Sequence, residues 1–179
     1  MDILAHALWS ALTAKIINLK KKHKLSLLKT ALWGIFPDLF AFTLLFIILT
    51  LGTLFGTTPM PDHNNIEPAM RNGNISIITE VLYEFSHSIV IFSIIMLVLY
   101  VSFGRIVREM FGWGLHIIID IPTHSYKFYP TPFLWPFSEF RFDGISWGQS
   151  WFQILNYSTM VIVFLVIWWL ERKKMKKRK

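Results

Sequence analysis

The chain has no cysteine, which excludes disulfides and thiolate metal sites together. Any metal must be held by nitrogen and oxygen donors. Charge is scarce as well: 16% of the 179 residues are Asp, Glu, Lys or Arg, against about 25% in an ordinary soluble domain. A chain this poor in charge, and 54% hydrophobic, cannot cover itself for water, so much of its surface is expected to face lipid. A basic leading region is missing too. Asp2 and His6 come early instead, which argues against a cleaved signal peptide. No internal repeat is present.

What the chain does have is long apolar runs. A helical crossing of a bilayer needs roughly 20 apolar residues. Leu39 to Gly56 carries no charge, and its helix is expected to begin near Ser26. Phe85 to Phe103 contains His87 and no Asp, Glu, Lys or Arg, and Ile145 to Leu170 is free of charge. Two less apolar segments, Ile3 to Asn18 and Ile106 to Ile121, carry the polar residues and should pack inside. The fold expected is all-α, a single integral membrane bundle of about five helices over residues 1–179 with a polar cluster inside, connected by segments such as Thr57 to Glu80 and Tyr126 to Gln149.

Orientation follows from the basic residues. Lys15, Lys20, Lys21, Lys22, Lys24 and Lys29 surround the first connection, Arg105 and Arg108 the third, and a basic tail occupies residues 171–179. With five crossings, all three groups fall on the cytoplasmic side, leaving the N-terminus outside and the C-terminus in the cytoplasm of a bacterial-type inner membrane. A basic tail can also meet anionic lipid or nucleic acid. So apolar a chain nonetheless predicts no specific nucleic-acid partner.

Within these runs sit polar residues that need a reason. His116 and Asp120 are four apart, on one face of a helix and able to reach one ion. In a bilayer such a pair is costly unless it is paired or bound, which makes it a functional-site hypothesis. Helical rise extends the point. At 1.5 Å per residue, His6 lies roughly 20 Å from Lys20, Asp38 roughly 20 Å from Ser26, His116 and Asp120 roughly 15–20 Å from Arg105, and His87 roughly 25 Å from Arg105. Four helices therefore bring His6, Asp38, His87, His116 and Asp120 to one level. Imidazole and carboxylate donors suit a divalent metal, zinc first, with manganese or iron as alternatives.

Each residue has a plainer reading. His6 can be a satisfied core histidine, and Asp38 can cap backbone groups freed by Pro37. His87, before Ser88, can cap a helix start. His124 extends the His116/Asp120 face by four residues, but Pro122 should end that helix. His23 and His63 are expected to be solvated.

The motif order resembles the membrane-bound metal-dependent hydrolases described as LexA-binding, inner-membrane-associated hydrolases, themselves distantly similar to helical zinc phospholipases and nucleases. The matching residues are His6, Pro37 and Asp38, Ser86-His87-Ser88, Gly112 with His116 and Asp120, Thr123, and Leu134-Trp135-Pro136-Phe137. They span Met1 to about Phe142. Phe40 stands where the family has a second aspartate, and Leu82 and Tyr83 where it has histidine and arginine. His124 stands where it commonly has proline. The resemblance implies metal ligands at His6, Asp38, His87, His116 and Asp120, with a proton acceptor among Asp38, Asp120 and His124.

Phe128 to Trp151 is dense in aromatics and proline, which suits an interfacial belt or a lid over the site that contacts lipid. The leading expectation is a hydrolase of a membrane lipid or lipid-linked ester or phosphoester, working through metal-activated water. The alternative is a non-catalytic membrane protein whose His/Asp cluster is structural or binds a lipid headgroup. A bis-histidine haem is a third reading.

Overall fold

The structure is a computed structural model that describes residues 1–20, 24–57, 74–127 and 129–176. Six α-helices occur among the described residues: α1 (Ile3–Lys20), α2 (Leu27–Leu54), α3 (Asn74–Ser86), α4 (Ile89–Phe103), α5 (Phe111–Thr123) and α6 (Ser150–Lys176). A single 3₁₀ turn, Arg108–Met110, leads into α5. No strand occurs among the described residues, and the all-α bundle stands. His23, His63 and Phe128 lie outside the described residues.

The burial pattern is inverted relative to a water-soluble protein. His87, His116 and Asp120 are fully buried, while Leu28, Leu54, Val101 and Ile154 are each at least 69% exposed. Apolar side chains turned outward and polar ones inward is the arrangement that a lipid solvent selects.

Among the described residues, fewer than five helices have the length and apolar character of a crossing. Two helices, α2 and α6, are long and apolar enough to cross, and α3 with α4 makes a third if that bent pair is one span. The reason is length and polarity. Thirteen residues make α5 roughly 20 Å long, short of a core about 30 Å thick. In α1, Lys15 and Lys20 interrupt the apolar character. The segment read as a connection up to Glu80 is also partly helical, since α3 begins at Asn74.

Local chemistry sets the element ends. Ser26 caps α2, its hydroxyl accepting from Lys29 N, and the helix runs through Pro37 rather than stopping there. Between α3 and α4 the chain turns by 60°. Ser88 has extended backbone at this break, and its hydroxyl accepts from Val90 N and Ile91 N. Ile89 N donates to Phe133 O at 3.0 Å, and Ser88 Oγ donates to Trp135 O. The returning loop thus satisfies the backbone groups that the break exposes. Helix α4 ends at Gly104, whose φ of 65° is the left-handed cap conformation.

Glycine permits the closest helix contacts. A Cβ at Gly34 would overlap Ser10 Oγ and stand 2.9 Å from His6 O, joining α1 to α2; one at Gly112 would overlap Thr30 O, joining α2 to α5. Small residues letting backbones approach is the usual way helices pack in lipid. The basic groups share one end of the bundle. Lys174 Nζ donates to Leu19 O, and Lys29, Arg105 and Arg108 line one hollow.

Candidate metal centre

Four elements deliver the polar residues. Asp38 comes from the middle of α2, His87 from the break between α3 and α4, and His116 and Asp120 from one face of α5. One ligand atom from each lies within 4.8 Å of every other. His6, from α1, reaches the same place: its Nε2 is 3.0 Å from Asp120 Oδ1. The shared level inferred from helical rise is therefore a shared position.

The imidazoles are oriented from behind. His116 Nδ1 is 2.7 Å from Gly34 O, and His87 Nδ1 is 3.2 Å from Tyr83 O. Carbonyl oxygens only accept, so these bonds put each ring proton on Nδ1 and turn Nε2 inward as a lone pair. Ser86 Oγ also lies 2.9 Å from His87 Nδ1 and donates to Pro37 O at 3.2 Å, tying α3 to α2 beside Asp38. Trp113 Nε1 donates to Ser86 O at 2.7 Å, fixing this corner from α5.

Inside that frame, acceptors face acceptors. The Nε2 atoms of His87 and His116 are 3.0 Å apart. Asp38 Oδ1 is 3.5 Å from the first and 3.6 Å from the second. Asp120 Oδ2 is 3.6 Å from His87 Nε2 and 3.1 Å from His116 Nε2, yet it receives no hydrogen bond among the described residues. Four donors held about 2.0–2.1 Å from a tetrahedral zinc ion stand about 3.3 Å from each other. The spacings of 3.0–3.6 Å bracket that value. Two carboxylates buried beside two inward lone pairs are electrostatically unfavourable by themselves, and a cluster of this kind could hold a divalent cation.

Asp120 uses its other oxygen elsewhere. Besides His6, His124 Nε2 is 3.4 Å from Oδ1 and the amino nitrogen of Met1 is 2.5 Å away. His124 follows the last residue of α5 in extended conformation, its N–H donating to Asp120 O. Pro122 does end the regular helix there, one residue on. His124 Nδ1 contacts Tyr129 O at 2.9 Å, which turns Nε2 toward Asp120.

A cavity of about 300 Å³ adjoins the cluster. Ile3, Leu4, Phe42, Phe46 and Trp147 supply its apolar wall, and Asp38 and His124 belong to the same wall.

With this geometry, comparison with known families becomes informative. Residues 1–177 match the family described as YdjM inner membrane protein. The chain belongs to that family. Comparison with curated proteins and with solved structures finds no match. Membership of the YdjM family agrees with the inner-membrane part of the resemblance and with the outward apolar surface. The YdjM family's description carries a membrane and no reaction.

Positions where this YdjM-family chain departs from the hydrolase pattern have visible roles. Phe40 is exposed, 5.5 Å from the Phe36 ring and 6.0 Å from that of Phe85. Tyr83 is buried, stacks on His87 at 3.8 Å and donates its hydroxyl to Tyr129 O at 2.7 Å. Sequence reasoning missed Gly34, and it named Tyr83, Ser86 and Trp147 without giving them a role at the site. For Ser86 the adjacent His87 was a signal. For the others, only the three-dimensional contacts reveal the role.

The aromatic segment divides. Phe133 packs against the Trp113 cluster and Trp147 against the Met160 cluster, whereas Phe137 is 82% exposed. Its returning segment lies on the end of α5: Gly144 N donates to His124 O, Ile145 N to Pro122 O and Trp147 N to Thr123 O, at 2.8–3.1 Å. A Cβ on Gly144 would overlap Pro122 O, so this approach requires glycine.

Proposed function

We propose that the protein is a membrane-embedded, metal-dependent hydrolase of a membrane-associated ester or phosphoester. The observation that carries the reading is Asp120 Oδ2: a fully buried carboxylate oxygen without a hydrogen bond among the described residues, facing two inward imidazole nitrogens. Asp38, His87, His116 and Asp120 would hold a divalent ion, zinc first among nitrogen- and oxygen-loving metals. Such an ion supplies Lewis acidity and a water that ionises near neutral pH.

The chain's own groups supply the rest. Asp38 and His124 border the cavity, and are the groups placed to accept a proton from a reactant there. His124 is suited to hold that proton, because its Nδ1 is committed to Tyr129 O and only Nε2 faces inward. The apolar wall would take the chain of a lipid or lipid-linked substrate and keep water from it. No Lys or Arg among the described residues lines that wall to meet phosphates, which favours a lipid over a nucleic acid as the substrate class.

The shared end of Lys29, Arg105, Arg108 and Lys174 supports one sidedness for all the basic clusters. By the positive-inside rule that end is cytoplasmic, and the cavity belongs to the opposite half of the membrane.

Metal analysis of detergent-purified protein tests the reading. Wild type should carry a bound transition metal and His116→Ala should lose it, together with turnover of a phosphoester or carboxylic ester lipid in mixed micelles. Wild type free of metal after growth and purification with added zinc, or metal retained in His116→Ala, overturns it. The alternative of a purely structural cluster predicts no metal, and a melting temperature indifferent to metal.

A further inference from the structure

The basic end of the bundle assembles positive charge without partners. Lys29, in the first turn of α2, and Arg105 and Arg108, in the connection from α4 to α5, line one hollow of about 630 Å³. By helical rise Lys29 lies about 14 Å along α2 from Asp38, and none of the four residues grouped as metal ligands lines this hollow. The Lys and Arg ion pairs among the described residues are Lys15 with Glu171 and Arg141 with Glu84, so the three cations of the hollow have none there. Glu109 shares the hollow, but its Oε1 accepts from Ser26 N at 3.4 Å and is turned to the start of α2. Three cations around one such carboxylate repel one another at the edge of a low-dielectric slab, and an anion offsets that repulsion.

The donors suit phosphate. Two guanidinium groups offer paired N–H groups in the plane that phosphate oxygens accept, and Lys29 adds a mobile ammonium. Tyr100, half-exposed on the last turn of α4, lines the same hollow and can donate its hydroxyl. Nothing packs against Gly104, where the chain leaves α4, so the hollow is open from outside.

Apolar grooves adjoin it. One, of about 320 Å³, has Ile106 and Arg108 in common with the hollow, and Ile17, Phe92, Met96 and Phe111 supply its walls from α1, α4 and α5. The other, of about 290 Å³, has Lys29 in common and continues over Leu32, Trp33 and Phe36. Those four residues follow the i, i+3, i+4, i+7 spacing of a single helix face, charged at its end and apolar beyond. Helix α4 has no buried residue among its 15, so space beside it is left for other apolar chains. A soluble phosphate compound would fill the hollow and leave both grooves bare. A phospholipid fills all three, and the excess of positive charge selects a headgroup of net negative charge.

We infer that this end of the bundle binds one anionic phospholipid, its phosphate held by Lys29, Arg105 and Arg108 and its acyl chains in the two adjoining grooves. The site is separate from the proposed metal centre and does not depend on that reading.

Native mass spectrometry of the detergent-purified chain tests it. The protein is titrated with dioleoyl phosphatidylglycerol and, separately, with dioleoyl phosphatidylcholine, which has the same chains and a headgroup of no net charge. Wild type should hold one phosphatidylglycerol per chain, more tightly than phosphatidylcholine by about tenfold or more. The double variant Arg105→Gln/Arg108→Gln should lose about tenfold in affinity for phosphatidylglycerol and change little toward phosphatidylcholine. Lys29→Gln should shift in the same direction, and it serves if the double variant does not fold. Lys173→Gln/Lys176→Gln removes the same charge from the tail and should bind as wild type does. Equal affinity for the two lipids in wild type, or a loss in the tail variant as large as in the hollow variant, overturns the site. Displacement of the lipid by glycerophosphate or inorganic phosphate at equal concentration overturns the role of the grooves and leaves a phosphate site alone.

Discussion

His87 and His116 meet Nε2 to Nε2 at 3.0 Å, with both Nδ1 atoms held by backbone carbonyls. Two lone pairs in that position repel unless a proton or a metal ion lies between them. The choice between those two occupants decides whether the cluster is a metal site.

Acidification should strip the metal. Each coordinated imidazole is neutral, so protons compete with the ion, and affinity falls as pH drops through and below the ordinary histidine range near about 6.5. The sign is fixed: binding releases protons at low pH, so lower pH favours the metal-free form. The slope should approach about tenfold in affinity per pH unit for each proton displaced. Competition with a fluorescent chelator over a pH series reads it. A pH-independent affinity would show that no histidine is a ligand.

Removing metal should cost stability. Binding confined to the folded state adds about 2.7 kcal/mol when free ion is at a hundred times its dissociation constant. Chelation should therefore lower the melting temperature of wild type in detergent. Asp120→Asn should melt at the same temperature with and without chelator.

Gly112→Ala tests the packing that aims His116. The added methyl overlaps Thr30 O, so α5 must move off α2 and draw His116 Nδ1 away from Gly34 O. Overpacking of this kind costs about 1–3 kcal/mol. Thermal unfolding should show that loss, and metal affinity should fall with it. Ile118→Ala, on the exposed side of the same helix, should change neither in detergent.

Tyr83→Phe keeps the ring beside His87 and deletes the hydroxyl that donates to Tyr129 O and lies 3.3 Å from His124 Nδ1. The lost hydrogen bond is worth about 0.5–1.5 kcal/mol. Metal content should be retained, and turnover of a lipid ester should fall more than binding does. Loss of metal in this variant would mean that the ring stack, rather than His124, depends on the hydroxyl.

Much of this was readable from the chain because membranes make polar residues conspicuous. His116 and Asp120 announced themselves by a spacing of four inside an apolar helix, and helical rise placed Asp38, His87 and His6 at their level before any coordinates. What the chain concealed depends on backbone path. The 60° turn at His87 has no proline or glycine within it, so the break between α3 and α4 left little trace. Apolar composition alone predicts five crossings because it does not reveal that α5 is only 13 residues long. Gly34 and Gly144 matter through what lies against them, and Tyr83 through a carbonyl 46 residues further on. None of these is a local property of sequence.

The distribution of the cluster along the chain also dictates when it can exist. Its parts come from residues 6, 38, 87, 116, 120 and 124, and the segment at 144–147 closes over the last of them. During synthesis the early helices must enter the membrane with His6 and Asp38 still lacking their later neighbours. Only when α5 and its returning segment emerge from the ribosome can the carboxylate of Asp120 join the two halves. The complete cluster is therefore withheld until insertion is nearly finished, so a partly made chain carries only separate pieces of it into the bilayer.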